Sequence, residues 1–118
     1  MSHAATPLVD WSRIDTVLLD MDGTLLDLNF DNHFWQVHLP QRYAAARGLP
    51  ADAGREELMA RYHARAGTLD WYSVDYWATE LEMDIMRFKE EVAQLIDIHP
   101  HVPAFLDAVR DAGRRIVL

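Results

Sequence analysis

Cysteine is absent from this 118-residue chain. Its absence excludes disulfide bonds, thiolate metal sites and cysteine nucleophiles, and it is compatible with a cytoplasmic location. Basic residues are scarce, since 11 lysines and arginines stand against 19 acidic residues and the formal charge at pH 7 is −8. A chain of this charge repels a phosphate backbone, so we expect no nucleic-acid partner. No apolar run approaches the roughly 20 residues of a membrane-spanning helix, so we expect no membrane partner.

The amino terminus also lacks the features of an export signal. The segment MSHAATPLVDW has neither a basic start nor an apolar core. We therefore expect a cytoplasmic protein.

The most informative stretch places two carboxylates at the end of an apolar strand. Residues 16–19, Thr-Val-Leu-Leu, have no alternating polar face, which predicts a strand buried on both sides in a parallel sheet. Asp20 follows at the carboxyl end of this strand, the edge at which open α/β sheets bind ligands. Asp22 comes two positions later, where the side chains of an extended chain point the same way. Gly23 then permits a sharp turn.

Two carboxylates that face one cavity need a positive charge beside them. At a separation of about 4 Å, two like charges repel by about 4 kcal/mol at an effective dielectric of about 20. Magnesium suits such a pair, because it is a hard ion that proteins hold with one or two carboxylates plus substrate phosphate. We therefore predict that Asp20 and Asp22 bind Mg²⁺ and act in phosphoryl transfer. The alternative, an acidic turn that only caps a strand, is disfavoured by the apolar run before it and the Gly-Thr pair after it.

The residues DMDGTLLD, after the run TVLL, resemble the first signature motif of the haloacid dehalogenase superfamily, whose pattern DxDGT they match in full. The resemblance implies that Asp20 attacks phosphorus to form an aspartyl-phosphate, and that Asp22 protonates the leaving oxygen and then activates water. It also implies that Thr24 lines the loop and that the amides of Gly23 and Thr24 cradle phosphate oxygens. Dehalogenases and ion pumps of the superfamily lack the acid at the position of Asp22, so the resemblance favours phosphate esters.

The rest of the chain reads as a helical middle between two flanks. Apolar residues at helical spacing, in stretches separated by Gly and Pro, predict helices over 34–47, 53–66, 71–81 and 84–96. A further helix is predicted over 102–112, before a strand at 114–118. Pro40 is expected to kink or split the first helix.

The resemblance implies an α/β fold with a Rossmann-like core into which a helical cap is inserted. Residues 1–27 and 99–118 would form part of the core, namely its first strand and the start of its second. Residues 28–98 would form the cap.

This resemblance covers only the first half of the superfamily's usual length. The hydroxyl of the second motif, the basic residue that holds phosphate and the distal metal-binding acids have no counterpart here. Lys89, the only lysine, lies on the predicted polar face of helix 84–96 and is expected to be a solvated surface residue. We therefore expect these 118 residues alone to be inactive, and the first strand to have an unpaired hydrophobic edge.

Within the superfamily, the segments at 15–36, 69–77 and 103–118 resemble bacterial purine nucleotidases, which implies a purine nucleoside monophosphate such as GMP or IMP as the substrate. An aromatic ring stacked on a base contributes about 1 to 3 kcal/mol. We predict Trp71 and Tyr72 as substrate-binding residues. The middle segment is rich in rings, and the alternative for any one of them is a place in the cap core. The rings are Phe30, Phe34, Trp35, Trp71, Tyr72, Tyr76 and Trp77.

Two functional classes stay open from the sequence. The first is an enzyme: a magnesium-dependent phosphatase for purine 5′-nucleotides, or alternatively for phosphoglycolate or sugar phosphates, or a phosphomutase that uses the same aspartate pair. The second is a catalytically incomplete fragment. A histidine metal site is not predicted, because His33 and His38 are five residues apart and do not share a face of an α-helix. His99 and His101 are expected to face solvent.

Overall fold

The computed structural model describes residues 8–118, so residues 1–7, which include most of the segment searched for an export signal, lie outside the described residues. The chain divides into two units. The first comprises the described residues up to Asp27 together with Ile98–Leu118, and the second comprises Leu28–Asp97. Within residues 8–118, no helix combines the length and apolar character needed to cross a membrane.

Helices dominate the second unit and strands occur in the first. The strands are β1 Thr16–Leu18 and β2 Arg115–Val117, and the α-helices in chain order are α1 Asn29–His33, α2 Leu39–Arg47, α3 Ala51–Arg65, α4 Val74–Leu81, α5 Ile85–Glu90 and α6 Val102–Asp111. A π-helical segment, Phe34–His38, joins α1 to α2, and 3₁₀ turns occur at Trp11–Arg13, Asp70–Tyr72 and Ala93–Leu95.

The first unit is built on a parallel pair of strands. β1 and β2 align with Val17 opposite Ile116, and α6 precedes β2. Helix α6 has Pro103 in its first turn, and Gly113 follows its end with a φ of 76°. These residues act as expected, because proline lacks an N–H that the first turn does not need and glycine adopts positive φ without strain. The fold is a partial α/β core of the predicted class.

The expectation that β1 is buried on both faces is wrong for this structure. Leu18 is 77% exposed and Val117 is 40% exposed. Among the described residues β1 has a single neighbour, β2, so one edge of each strand is unpaired and apolar side chains meet solvent.

The hydrophobic core lies in the second unit. Its buried members, all apolar or aromatic, are Phe34, Leu39, Tyr43, Leu58, Trp77, Leu81, Met83, Ile85 and Val92. Helices α2 and α3 approach closely at Gly54, where an added Cβ would lie 2.8 Å from the Cα of Ala44. Glycine is therefore required at this helix crossing.

Two predicted helices are shorter than the hydrophobic pattern suggests. The helix predicted over 84–96 ends at Glu90, because Val92 leaves helical geometry with φ −120° and ψ 17°. Glu91 follows the end of this helix and pairs with His38 of the π-helical segment and with Arg42 of α2. The helix predicted from 71 starts only at Val74, where the Ser73 hydroxyl accepts a hydrogen bond from the Tyr76 amide.

Pro40 neither ends nor splits the helical path, which runs from Asn29 to Arg47 through the π-helical segment. In an α-helix the N–H of residue 40 would bond to the carbonyl of Gln36, and proline has no N–H. Arg55 supplies the missing donor, with its Nε 3.2 Å from the Gln36 oxygen. The helix predicted to start at residue 34 thus starts five residues earlier.

The π-helical segment also overturns the placement of His33 and His38 on different faces. Their rings stack with centroids 6.5 Å apart and an angle of 23° between planes. The hydrogen bonds of a π-helix join residues five apart, so such residues lie closer to the same side than they do in an α-helix.

Lys89 is likewise not the solvated residue expected from its place on the helix. It is half-buried, and its Nζ lies between 5.3 and 5.9 Å from the ring centroids of Phe30, Phe34 and Trp35. A cation over aromatic faces is attracted by the ring quadrupoles, and this attraction holds α5 against the helix that begins the second unit.

Candidate active site

The two predicted catalytic aspartates lie on an exposed loop that leaves β1. Asp20 follows Leu19, whose N–H donates to the Val117 carbonyl at 2.8 Å, and Asp22 lies two residues further on. Both side chains are exposed. They therefore emerge at the carboxyl end of a strand in a parallel pair, as predicted from the sequence.

The loop is closed by its own backbone. The Met21 carbonyl accepts hydrogen bonds from the amides of Thr24, Leu25 and Leu26 at 3.3, 3.0 and 2.9 Å. Gly23 has a φ of 77°, a conformation that strains residues with a Cβ. The turn after Asp22 is thus a tight one that glycine makes accessible.

The Gly23 and Thr24 amides, expected to cradle phosphate oxygens, donate to carbonyls of the loop itself in this structure. The Gly23 amide donates to the Leu26 carbonyl at 2.9 Å, and the Thr24 amide donates to the Met21 carbonyl at 3.3 Å. Each amide has one hydrogen, and in both cases the loop itself uses it. The Thr24 hydroxyl is exposed and is able to form a hydrogen bond with a ligand.

A second segment of the first unit is paired with this loop. Leu26 bridges Ile98 in antiparallel fashion, and the His99 amide donates to the Leu25 carbonyl at 3.1 Å. Sequence reasoning missed this contact, because no pattern in the chain indicates a pairing between segments so far apart.

The metal-binding prediction rests on two carboxylates. Within residues 8–118, no cluster of three or more His, Cys, Asp or Glu residues is arranged to hold a metal ion. Two exposed carboxylates nevertheless fit the chemistry of Mg²⁺, which keeps several waters and needs one or two protein carboxylates when phosphate oxygens complete its shell.

Trp71 and Tyr72 lie in the second unit, on the 3₁₀ turn before α4. Their side chains are 42% and 75% exposed, and their rings meet edge to face with centroids 5.0 Å apart. The Trp77 Nε1 donates to the Trp71 carbonyl at 3.0 Å, which ties the turn to the core. The other rings that the sequence offered for stacking are buried or half-buried: Phe30, Phe34, Trp35, Tyr76 and Trp77.

A parallel strand followed by two aspartates, an inserted helical unit and a return to a second parallel strand together form a partial α/β core with a candidate ligand site at the carboxyl edge of its sheet. The chain belongs to the haloacid dehalogenase-like hydrolase family, which matches residues 17–118.

Two similar proteins are the GMP/IMP nucleotidases YrfG of Escherichia coli (strain K12) and Shigella flexneri, each 39% identical over 110 residues. The match covers 93% of this chain and 50% of each nucleotidase. The fold is similar to that of an HAD phosphatase from Thermococcus onnurineus, with a TM-score of 0.69 and 23% identity over 87% of this chain and 49% of the other. The chain thus spans about half the length of the relatives it matches.

Proposed function

We propose that this protein is a magnesium-dependent phosphomonoesterase that acts through an aspartyl-phosphate on purine nucleoside 5′-monophosphates. The observation that carries the proposal is the pair of exposed aspartates, Asp20 and Asp22, on a closed loop at the carboxyl end of β1. The substrate class is supported by the two GMP/IMP nucleotidases at 39% identity. We propose a cytoplasmic location, because purine nucleoside monophosphates occur in the cytoplasm.

In the first step a carboxylate oxygen of Asp20 attacks phosphorus. A new bond forms between that oxygen and phosphorus, the bond from phosphorus to the ester oxygen breaks, and Asp22 gives its proton to the leaving oxygen. In the second step a water attacks the phosphorus of the aspartyl-phosphate while Asp22 takes a proton from it. The bond to Asp20 then breaks, and inorganic phosphate leaves.

Both steps develop negative charge beside two carboxylates. A bound Mg²⁺ would polarise the phosphoryl oxygens and offset this charge. Asp20 would hold the ion through a carboxylate oxygen, and Asp22 would hold it through an oxygen that does not carry the proton transferred to the leaving group. A proton donor in the position of Asp22 increases the rate by about 10²- to 10⁴-fold.

Substrate contacts are proposed for two sets of residues, each within its own unit. Thr24 would donate its hydroxyl hydrogen to a phosphate oxygen, and Gly23 would keep the approach to the loop free of a side chain. Trp71 and Tyr72 would present ring faces to the purine, since they are the exposed members of the aromatic set.

We further propose that residues 1–118 alone do not hydrolyse nucleotides. Within residues 8–118 no third acid joins the aspartate pair, and the relatives are about twice as long as the matched region. A phosphatase assay on the isolated 118-residue chain should therefore show no hydrolysis of GMP or IMP.

The test is an Asp20→Asn variant of the full-length protein. An amide neither attacks phosphorus nor binds Mg²⁺ as an anion, so turnover of GMP and IMP should fall to background. Asp15→Asn is the matched control, because Asp15 is also exposed and lies at the opposite end of β1. Its variant loses the same charge and should keep wild-type activity.

Rapid quenching should trap a phosphorylated wild-type enzyme whose phosphate is absent from the Asp20→Asn variant. Substantial hydrolysis by Asp20→Asn, in a preparation free of wild-type protein, would refute the covalent mechanism. Stronger hydrolysis of phosphoglycolate or sugar phosphates than of nucleotides would refute the proposed substrate class but support the proposed phosphatase activity.

A further inference from the structure

The expectation that His99 faces solvent is wrong, because its side chain is half-buried on the segment that pairs with the catalytic loop, the loop 20–26 that carries Asp20 and Asp22. His99 follows Ile98, which bridges Leu26, and its own amide donates to the Leu25 carbonyl at 3.1 Å. Among residues 96–101 only His99 is half-buried, whereas its neighbours are exposed. Its backbone is therefore held on the loop, and its side chain packs where the neighbouring side chains do not.

The positive charges of the first unit are placed away from this loop. Arg13 lies before β1 and Arg115 begins β2, so both stand at the amino ends of the parallel strands. Arg114 donates to the carbonyls of Ile14 and Trp11 at 2.9 and 2.6 Å, and Arg110 lies 3.0 Å from Asp107.

The side chains that remain are those of the two histidines. His101 is exposed at the start of α6, and His99 is the one bonded to the loop. A loop with two carboxylates that receives a phosphate dianion gains from a nearby donor able to carry positive charge. Within the described part of the first unit, His99 meets that description best.

We propose that His99 is a phosphate-binding residue of the catalytic loop, whose imidazole donates a hydrogen bond to the phosphoryl group that Asp20 attacks. This inference rests on the proposed function, and it adds a group outside the signature motif. The alternative is a purely structural role, in which the His99 amide alone holds the loop and the side chain fills space.

The test uses side-chain variants of the full-length protein. Every substitution of His99 except proline keeps the hydrogen bond from the residue-99 backbone amide to the Leu25 carbonyl. His99→Leu removes the donor and keeps similar volume, His99→Arg supplies another hydrogen-bond donor, and His101→Leu is the matched control two residues away. The measurements are kcat, KM for GMP, the inhibition constant of inorganic phosphate and the melting temperature.

A lost hydrogen bond to a charged group corresponds to a loss of about tenfold or more in binding. We expect His99→Leu to raise KM and the inhibition constant of phosphate by that factor, with a smaller change in kcat. His99→Arg should recover part of the phosphate affinity, and His101→Leu should change neither constant. A melting temperature close to that of the wild type would accompany these changes.

Three outcomes would overturn the inference: an unchanged phosphate inhibition constant in His99→Leu, an equal change in His101→Leu, or a lowered melting temperature with kcat and KM impaired alike and no recovery in His99→Arg. The proposed function fails separately, if the wild-type protein hydrolyses no phosphate ester. Calorimetric titration of the wild type and His99→Leu with inorganic phosphate then still tests the binding role.

Discussion

Substitution of Gly54 by alanine should destabilise the second unit, although alanine is the better helix former. Gly54 lies within α3, and an added Cβ would overlap the Ala44 Cβ and lie 2.8 Å from the Ala44 Cα. Overpacking a well-packed core costs about 1 to 3 kcal/mol, and a contact with backbone atoms belongs at the upper end of that range. The helix gains about 1 kcal/mol from replacing glycine with alanine. The expected net loss is about 2 kcal/mol, or roughly 30-fold in the folding equilibrium.

The assay is urea unfolding of the full-length protein, followed by circular dichroism at 222 nm. Ala53→Gly is the control, because Ala53 is the exposed neighbour in the same helix and its variant reports the helix propensity alone, at about 1 kcal/mol. The double variant Ala44→Gly with Gly54→Ala moves the methyl group to the other helix and should recover most of the packing loss. Stabilisation of Gly54→Ala by about 1 kcal/mol, as at an exposed helix position, would refute the close approach of α2 and α3.

Two further predictions concern the second unit. Trp71→Leu or Tyr72→Leu should raise KM for GMP or IMP about 5- to 150-fold, since a stacked base contributes about 1 to 3 kcal/mol, while hydrolysis of a small aryl phosphate stays near the wild-type rate. The control is Trp77→Leu at a buried position, which should lower the melting temperature and impair all substrates alike. Equal losses on nucleotides and on the aryl phosphate in Trp71→Leu and Tyr72→Leu would contradict purine stacking. The hydrogen bond from His38, with further help from Arg42, lowers the pKa of Glu91 below its ordinary value, so this contact stabilises the fold above the ordinary glutamate pKa and loses its effect as pH falls through the lowered pKa. The difference in unfolding free energy between wild type and Glu91→Gln should therefore be present at pH 7 and vanish in acid, and a difference that persists unchanged at pH 2 would contradict it.

Local signals were sufficient for much of the fold. The apolar run before Asp20 placed β1, and Pro103 with Gly113 placed both ends of α6, because each of these signals acts on the backbone of its own neighbourhood. The aspartate pair and the glycine turn of the loop are readable for the same reason. Family membership follows from these residues, since the motif is contiguous in the chain.

Other features depend on partners that are distant in the chain. The end of α5 at Glu90 coincides with the pairing of Glu91 with His38 and Arg42, which overrides an otherwise continuous helical pattern. Where the helix passes Pro40, the Gln36 carbonyl accepts a hydrogen bond from Arg55, nineteen residues further along the chain. Periodicity reports only which residues share a face, so it cannot supply either contact.

The sequence by itself determined the family and the candidate site: two aspartates after a strand, a glycine that permits the turn, and a helical segment inserted after them. The tertiary structure alone decided how these groups are held. It assigned the Gly23 and Thr24 amides to the loop itself, brought His99 onto that loop, left Trp71 and Tyr72 exposed and placed the other stacking candidates in or against the core. The physical reason is that residue type and spacing set what a side chain can do, whereas hydrogen-bond satisfaction and burial depend on which distant segments meet.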